Sequence, residues 1–328
     1  MRSLRPRRVG LVLGAALALA GGACGGSGTD RPNAPATLIL DFTPNAVHAG
    51  IYSAVARGYD DAEGVQLRVR EPSSSPDSVK LLLSGRADLA VLDIHDLAIA
   101  RARGRDIVGV LALVQRPLAA VLAAPDVRSP RELEGRRVGV TGLPSDDAVL
   151  RSIVSGAGGD PKRVRRVTIG FSAVSSLLAR RVDAATAFWN AEGVALRRRR
   201  RGVREFRVDD FGAPAYPELV LCATRRTIEE QPAVVRAAVH ALIRGYGVTL
   251  DDPEGSAADL LGRVRGLKRA EVLAQLDALG TAFVGSARRF GELDPERLEA
   301  WAAWEARFRI VREPPDVGRA FDLRFAAR

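Results

Sequence analysis

Short apolar segments alternate with amphipathic segments along most of this chain, and this rhythm constrains the fold more than any single motif does. Apolar runs at 37–40, 65–69 and 87–92 are separated by helical patterns at 47–57 and 77–83. Strands that alternate with helices of about ten residues form βαβ units, in which successive strands run parallel. The pattern therefore predicts an α/β protein with mainly parallel sheets.

The same rhythm occurs twice, and this repetition indicates two lobes. We expect lobe 1 at 36–124, lobe 2 at 125–214, and a return to lobe 1 at 215–328 that is mostly helical. A chain organised in this way crosses twice between two Rossmann-like lobes. Two crossings form a hinge, and a hinge between two lobes allows a cleft to close.

The N-terminus has the order of an export signal. Arginines precede an apolar run at 9–20, and small residues lead to Cys24, so residues 1–23 are predicted to be removed as a signal peptide. A cysteine at this position resembles a bacterial lipoprotein signal. We therefore expect lipidation at Cys24, with 24–35 as a tether to the outer face of the membrane. The alternative is a secretory signal with an incidental cysteine.

Composition argues against several functional classes. The formal net charge is +10, and five arginines stand together at 197–201. No aromatic residues are interleaved with them, so we expect a solvated helix end and no nucleic-acid partner. Cys222 lies in an apolar run and is expected to be a small buried residue. The three histidines lack the spacing of metal ligands, so neither a metal ion nor a cofactor is expected.

Polar and aromatic side chains gather where the first predicted strand ends. Asp41, Phe42, Asn45 and His48 follow that strand within eight residues. Because ligands of open α/β sheets bind beyond the carboxyl ends of the strands, this corner is predicted to form one wall of a ligand cleft. Asn45 could equally cap the helix that follows.

Other candidates occupy comparable positions. Asp93 and His95 follow the third apolar run. Ser145 is predicted to N-cap a helix, whose free backbone N–H groups could receive a polar ligand group. Tyr216 and Glu218 follow the second crossing, and Tyr216 could cover the ligand or pack in the hinge.

A second wall is predicted at a strand end in lobe 2. The sequence there contains Trp189 and Glu192, preceded by Phe188. An aromatic side chain and a carboxylate at one strand end suit a flat ligand with hydrogen-bond donors. The alternative interpretation places Trp189 in the core and Glu192 in the first turn of a helix.

A set of segments spread over residues 36–302 points to a family. The segments are DFTPNAVHAGIYSAVARGYDDAEGV, SGRADLAVLDIHDLAIARARG, RPLAAVLA, SPRELEGRRVGVTGLPSDDAVL, GFSAVSSLLARRVDAATAFWNAEGV, FRVDDFGAPAYPELVL and DPERLEAW. Together they resemble bacterial substrate-binding proteins of the thiamine-pyrimidine-precursor type. The resemblance implies a bilobed type II periplasmic-binding-protein fold with a helical C-terminal segment. It also implies an extracytoplasmic protein, expected to be monomeric, that delivers its ligand to an ABC transporter permease.

The ligand implied by this resemblance is a hydroxymethylpyrimidine or a formylaminopyrimidine. A 4-aminopyrimidine presents a ring nitrogen beside an amine, and one carboxyl group can match that edge with two hydrogen bonds. On this basis Glu192 is expected to pair with the ring edge, and Trp189 or Phe188 to stack on the ring. Phe42 stands where the family usually has tryptophan, and LDIHD at 92–96 departs from its pattern. Specificity could therefore differ at this wall.

Two other functions share the resemblance. Eukaryotic relatives are pyrimidine synthases that consume pyridoxal phosphate and a histidine and depend on a cysteine-rich iron motif. This chain has only Cys24 and Cys222, far apart, so we expect a binding protein and no catalysis. Other members of the wider superfamily bind sulfonates or nitrate, which leaves the ligand open.

Overall fold

The computed structural model describes residues 33–73, 77–142, 144–199 and 202–326. The predicted signal peptide, Cys24 and most of the predicted tether lie outside these residues. The end of the tether is corrected, because the first strand already begins at Ala34 and pairs with its neighbour from there. Pro35 fits in this strand because the strand on its other side pairs only from Leu38, so the missing N–H of proline breaks no ladder there.

The described residues contain two five-stranded sheets. The strands are β1 (Ala34–Ile39), β2 (Val65–Arg70), β3 (Leu89–Asp93), β4 (Ile107–Val114), β5 (Ala119–Ala123), β6 (Arg137–Val140), β7 (Arg165–Thr168), β8 (Ala184–Phe188), β9 (Arg204–Arg207) and β10 (Leu219–Thr224). The first sheet has the order β2–β1–β3–β10–β4, and the second has the order β7–β6–β8–β5–β9. Each lobe is thus built on one sheet of matching layout.

Both sheets are mixed, which corrects the expected mainly parallel arrangement. β1 runs parallel to β2 and β3, and β6 runs parallel to β7 and β8. By contrast, β10 is antiparallel to β3 and β4, and β5 is antiparallel to β8 and β9. β5 and β10 enter a lobe directly from the other one. They need no helical crossover and are free to run antiparallel.

Helices cover the sheets. They are α1 (Ala49–Ala56), α2 (Tyr59–Glu63), α3 (Asp77–Leu83), α4 (Ile94–Ala102), α5 (Pro144–Gly156), α6 (Ala173–Leu178), α7 (Val194–Arg199), α8 (Arg225–Glu230), α9 (Pro232–Asp251), α10 (Pro253–Arg263), α11 (Arg269–Leu279), α12 (Pro295–Arg307) and α13 (Val317–Ala320). Single helical turns lie at Ala46–His48, Pro130–Leu133, Pro161–Arg163, Trp189–Gly193, Val208–Phe211 and Gly280–Phe283. Within the described ranges, no helix combines the length and apolar character needed to cross a bilayer.

The first crossing between the sheets lies earlier than the sequence predicted. Residue 124 was expected to end lobe 1, but β5 pairs with β8 and β9 in the second sheet. The apolar run at 107–123 therefore contributes a strand to each lobe. Its polar interruption at 115–117 includes Pro117, whose missing N–H suits a break between strands.

The two crossings are held together by side chains from other elements. Glu218 accepts a hydrogen bond from the backbone N–H of Leu118 at 2.6 Å, which joins the second crossing to the first. Arg297 on α12 donates to the carbonyl oxygens of Gln115 and Ala215, again one on each crossing. These hydrogen bonds tie the two crossings to each other and to α12.

Helices α1 and α9 pack closely against each other in the first lobe. Gly50 faces the ring of Tyr246, and Gly245 faces the backbone of α1 at Gly50. The hydroxyl of Tyr246 donates to the carbonyl oxygen of Val47 at 2.8 Å. This contact fixes α1, the helix that directly follows the candidate corner at Asp41–His48.

Candidate functional site

A cavity of about 110 Å³ lies between the two sheets and is lined from both lobes. Two parallel strands of each sheet have their carboxyl ends at this cavity, as expected for open α/β sheets, and these are β1 and β3 in the first sheet and β6 and β8 in the second. The side chains around it are acidic, hydroxylic or aromatic. They are Asp41, Asp93, Asp96, Asp146 and Glu192, then Thr141, Ser145 and Thr186, and then Phe42, Phe171 and Phe188.

The corner after β1 orients one of these carboxylates. The backbone N–H of Asn45 donates to Nδ1 of His48 at 3.2 Å, so Nδ1 carries no proton. The other ring nitrogen, Nε2, must then hold the proton of the neutral ring, and it lies 2.8 Å from the carboxylate of Asp41. His48 is buried, whereas the side chain of Asp41 is 11% exposed and faces the cavity. His48 therefore acts as a fixed donor that holds Asp41 in place.

Asn45 has the capping role that the sequence left open. Its Oδ1 accepts the N–H of Val47 at 3.0 Å, and its Nδ2 donates to the carbonyl oxygen of Thr43. Asn45 does not line the main cavity. It reaches only a smaller recess beside it, near Phe42 and Glu192.

The end of β3 separates two side chains that the sequence grouped together. Asp93 lines the cavity and caps α4 by accepting the N–H of His95 at 2.8 Å. His95 points the other way, into the core, where Nδ1 contacts Glu305 and Nε2 lies 3.2 Å from the hydroxyl of Tyr216. Burial alone would lower the pKa of His95, but Glu305 and Asp93 outweigh it and raise the pKa to about 10. His95 is therefore an imidazolium paired with Glu305 behind the cavity wall.

The acidic groups facing the cavity are partly buried without basic side chains beside them in the described lining. Burial raises the pKa of Asp93 to about 6 against the opposing charge of His95. Burial and the neighbouring charge of Asp93 raise the pKa of Asp96 to about 7. Burial also raises the pKa of Glu192. No lysine or arginine is among the described residues that line the cavity, so their ionised forms have no basic side chain to meet.

On the wall from lobe 2, the aromatic residue that faces the cavity differs from the sequence prediction, which named Trp189 in the site. Phe188 lines the cavity, but Trp189 does not. The indole of Trp189 is buried, donates to the carbonyl oxygen of Pro117 at 2.9 Å, and is covered by the guanidinium of Arg207 at 4.0 Å. Phe188 is the last residue of β8, whereas Trp189 begins the turn Trp189–Gly193, and of the two only Phe188 faces the cavity.

Glu192 lines the cavity through a local turn. It lies in the turn Trp189–Gly193 and accepts the N–H of Phe188 at 3.2 Å. This bond places the carboxylate at the end of β8, beside the ring of Phe188. The turn therefore presents a ring and a carboxylate together.

Ser145 lines the cavity but is not the helix cap that the sequence predicted. Helix α5 begins at Pro144, so Ser145 lies within its first turn. Its neighbour Asp146 accepts the N–H of Thr141 at 2.6 Å and ties the end of β6 to this helix. The helix start thus offers carboxylate and hydroxyl groups to a ligand.

Tyr216 and Glu218 lie behind the cavity, in the hinge. Both are fully buried, and neither lines the cavity. Burial and the charge of Asp93 raise the pKa of Glu218 to about 8. Among the described residues, Asp93, His95 and Glu218 bring potential metal-ligand atoms within 4.8 Å of one another. Both ring nitrogens of His95 already have partners in Glu305 and Tyr216, so the imidazole has no lone pair directed at a metal ion in this arrangement.

Five of the eleven predicted site residues line the cavity: Asp41, Phe42, Asp93, Ser145 and Glu192. The other six support it from behind, and these are Asn45, His48, His95, Trp189, Tyr216 and Glu218. The prediction missed Asp96, which lies in the first turn of α4 three positions after the cap residue Asp93 and also lines the cavity. It also missed Phe171, whose ring meets Phe42 across the cavity at a centroid distance of 5.1 Å.

Comparison with known proteins identifies the family of this chain. Residues 45–256 match the family model described as NMT1/THI5 like. The chain belongs to the NMT1/THI5-like family. This result confirms the resemblance seen in the sequence.

Relatives of this NMT1/THI5-like chain include a binding protein and an enzyme. A formylaminopyrimidine-binding protein of Halalkalibacterium halodurans is 33% identical over 227 residues, which cover 68% of this chain and 69% of that protein. A 4-amino-5-hydroxymethyl-2-methylpyrimidine phosphate synthase of Legionella pneumophila is 22% identical over 294 residues, covering 88% and 91%.

Solved structures confirm the bilobed α/β fold of this NMT1/THI5-like protein. The alkanesulfonate-binding protein SsuA from Xanthomonas axonopodis pv. citri, bound to MOPS, matches with a TM-score of 0.70 at 18% identity. The match covers 88% of this chain and 98% of that one. At this identity the likeness concerns the fold alone.

Proposed function

We propose that this protein is an extracytoplasmic receptor of an ABC importer and that it captures an aminopyrimidine between its lobes. The observation that carries the proposal is the two-walled cavity, lined by carboxylates, hydroxyls and phenylalanine rings from both lobes. The 33% identity to a formylaminopyrimidine-binding protein supports the ligand class. The proposal includes removal of residues 1–23 and a lipid anchor at Cys24.

The chemistry of the walls suits such a ligand. Glu192 can accept from the exocyclic amine and, when protonated, donate to the adjacent ring nitrogen. Burial raises the pKa of Glu192, so this carboxyl group keeps its proton up to a higher pH than an exposed glutamate does. Phe188 lies beside it and offers a ring face for stacking, which contributes about 1 kcal/mol beyond burial.

The same lining argues against a sulfonate or nitrate. An anion in this cavity would face five acidic side chains: Asp41, Asp93, Asp96, Asp146 and Glu192. Burying like charges together without a cation is strongly unfavourable. The protein therefore shares the fold of SsuA but has a cavity lining that does not suit a sulfonate.

The lining also argues against the synthase chemistry. A pyridoxal phosphate enzyme needs a lysine to form a Schiff base. The chain has three lysines, Lys80, Lys162 and Lys268, and all are exposed and away from the cavity. Cys222 is buried in the first sheet and is not available as a ligand for iron.

A receptor of this kind works by a shift between open and closed forms. A ligand that touches both lobes stabilises the closed form, which the permease then recognises. The contact between Phe42 of lobe 1 and Phe171 of lobe 2 spans the cavity, so it forms only when the lobes are close. Phe171 is 56% exposed, so closure over a ligand has a large ring to bury.

Isothermal titration against formylaminopyrimidine, hydroxymethylpyrimidine, an alkanesulfonate and nitrate tests the proposal. We expect binding of at least one pyrimidine, with one site per chain, and no binding of either anion. Glu192→Ala should weaken pyrimidine binding about tenfold or more, since it removes both hydrogen bonds to the ring edge and each contributes about 0.5–1.5 kcal/mol. The control is Glu229→Ala, an exposed position on α8 that should bind like wild type. Binding of the anions alone would refute the proposal.

A further inference from the structure

Three aspartates of lobe 1 converge on one side of the cavity. Asp41 follows β1, Asp93 ends β3, and Asp96 lies in the first turn of α4. Asp41 receives one hydrogen bond from His48, and Asp93 receives one from the backbone of His95. In the part of the chain that the structure describes, the carboxylate of Asp96 receives none. Asp96 is therefore the acidic group most in need of a partner from outside.

Among the described residues that line the cavity, none offers these aspartates a positive charge. The imidazolium of His95 lies behind the wall and is paired with Glu305. On the opposite side, Asp146 and Glu192 add further acidic groups. Both walls of the cavity are thus acidic. A cationic ligand would stabilise the ionised forms of these carboxyl groups, whereas a neutral ligand would not.

Phenylalanine rings close the remaining sides. Phe42 and Phe171 meet edge to face, and Phe188 ends β8 beside Glu192. The face of an aromatic ring attracts a cation as well as another flat ring. Rings combined with carboxyl groups form a lining suited to an aromatic ligand that carries a positive charge.

We propose that the ligand is bound as a cation, an aromatic ring bearing a protonated amine, and that Asp96 selects for that charge. The inference rests on the proposed function, because it concerns the same cavity and a ligand of the same class. It goes further by favouring a pyrimidine with a free aminomethyl group over the neutral N-formyl form. A primary ammonium offers three donors, enough to reach Asp41, Asp93 and Asp96 together.

The test compares two probes that differ in charge at one nitrogen. They are 4-amino-5-aminomethyl-2-methylpyrimidine, an ammonium at neutral pH, and its N-formyl derivative, which is neutral there. Dissociation constants are measured at pH 7.5 for the full mature chain and for Asp96→Asn, Asp96→Glu and Asp251→Asn. Asp251 is an exposed residue at the end of α9, so its variant controls for the net charge of the protein.

We expect wild type to bind the ammonium probe about tenfold or more tightly than the N-formyl probe. Asp96→Asn should remove most of this preference by weakening the ammonium probe alone, while Asp96→Glu and Asp251→Asn keep it. The melting temperature of each unliganded variant verifies that it is folded, and Asn at position 96 relieves repulsion and should not lower it.

Other outcomes separate the two proposals. Equal or tighter binding of the N-formyl probe would overturn the charge selection and leave the proposed function intact. Equal losses for both probes in Asp96→Asn would overturn the role of Asp96. Failure of every aminopyrimidine to bind would remove the proposed function and this inference with it.

Discussion

Helices α1 and α9 approach so closely that only hydrogen fits on the α carbon of residue 245. A Cβ atom built on Gly245 lies 2.1 Å from the carbonyl oxygen of Gly50 and 2.8 Å from the Cβ of Ala54. Both atoms are fixed to the backbone of α1, so no side chain can rotate away. Gly247 is two residues further along the same helix, and a Cβ there meets nothing within 4 Å.

The same substitution should therefore have opposite effects at these two positions. Gly245→Ala must push the helices apart by about an ångström, and overpacking of this kind costs about 1–3 kcal/mol. Gly247→Ala makes no contact and gains about 1 kcal/mol of helix propensity. Taking the middle of the first range, we expect the free energies of unfolding to differ by about 3 kcal/mol.

Urea unfolding followed by circular dichroism measures this difference directly, with wild type as the reference. Because α1 directly follows His48, a displaced α1 also moves the donor that holds Asp41. Gly245→Ala should therefore weaken pyrimidine binding as well, whereas Gly247→Ala should not. Equal midpoints for the two variants would show that the helix contact yields without cost, and the reasoning would be wrong.

Two further predictions concern the acidic groups. Glu305→Gln removes the buried charged partner of His95 and should lower the free energy of unfolding, measured with urea, by about 3–5 kcal/mol. The control Glu299→Gln, exposed on the same helix, should change this free energy by less than about 0.5 kcal/mol. A loss below about 1 kcal/mol at Glu305 would contradict the buried pairing. Asp96 has a pKa raised to about 7, so the folded state holds its proton more tightly than the unfolded state, and the stability linked to it is lost as pH rises from about 4 through 7. Asp96→Asn should therefore melt close to wild type at pH 5 and clearly above it at pH 8, and a constant difference across this range would refute the shift.

Much of the fold follows from sequence periodicity, because the alternation of strands and helices is a local property. The position of the first crossing does not, since both halves of the run at 107–123 are equally apolar. Their membership in different sheets is decided by distant partners, β10 for β4 and β8 for β5. The antiparallel direction of β5 and β10 has the same long-range origin.

The candidate site was predictable where it depends on strand ends. Asp41 and Asp93 line the cavity because the carboxyl ends of β1 and β3 meet there. Side-chain direction was harder, since His95 follows Asp93 by only two positions and yet faces the core. Phe171 carried no local signal, because its role depends on Phe42 in the other lobe.

The central position of β10 in the first sheet has a consequence for biosynthesis. A chain that emerges N-terminus first makes β1 to β4 early, but β3 and β4 pair through β10, which lies more than a hundred residues beyond β4. The second sheet consists of β5 to β9 without interruption, so it can be completed while the first still has two open edges. Such edges are templates for pairing with other chains. A fragment that stops before Leu219 should therefore contain one finished lobe and one aggregation-prone half-sheet, and the cavity between them can form only after β10 has inserted.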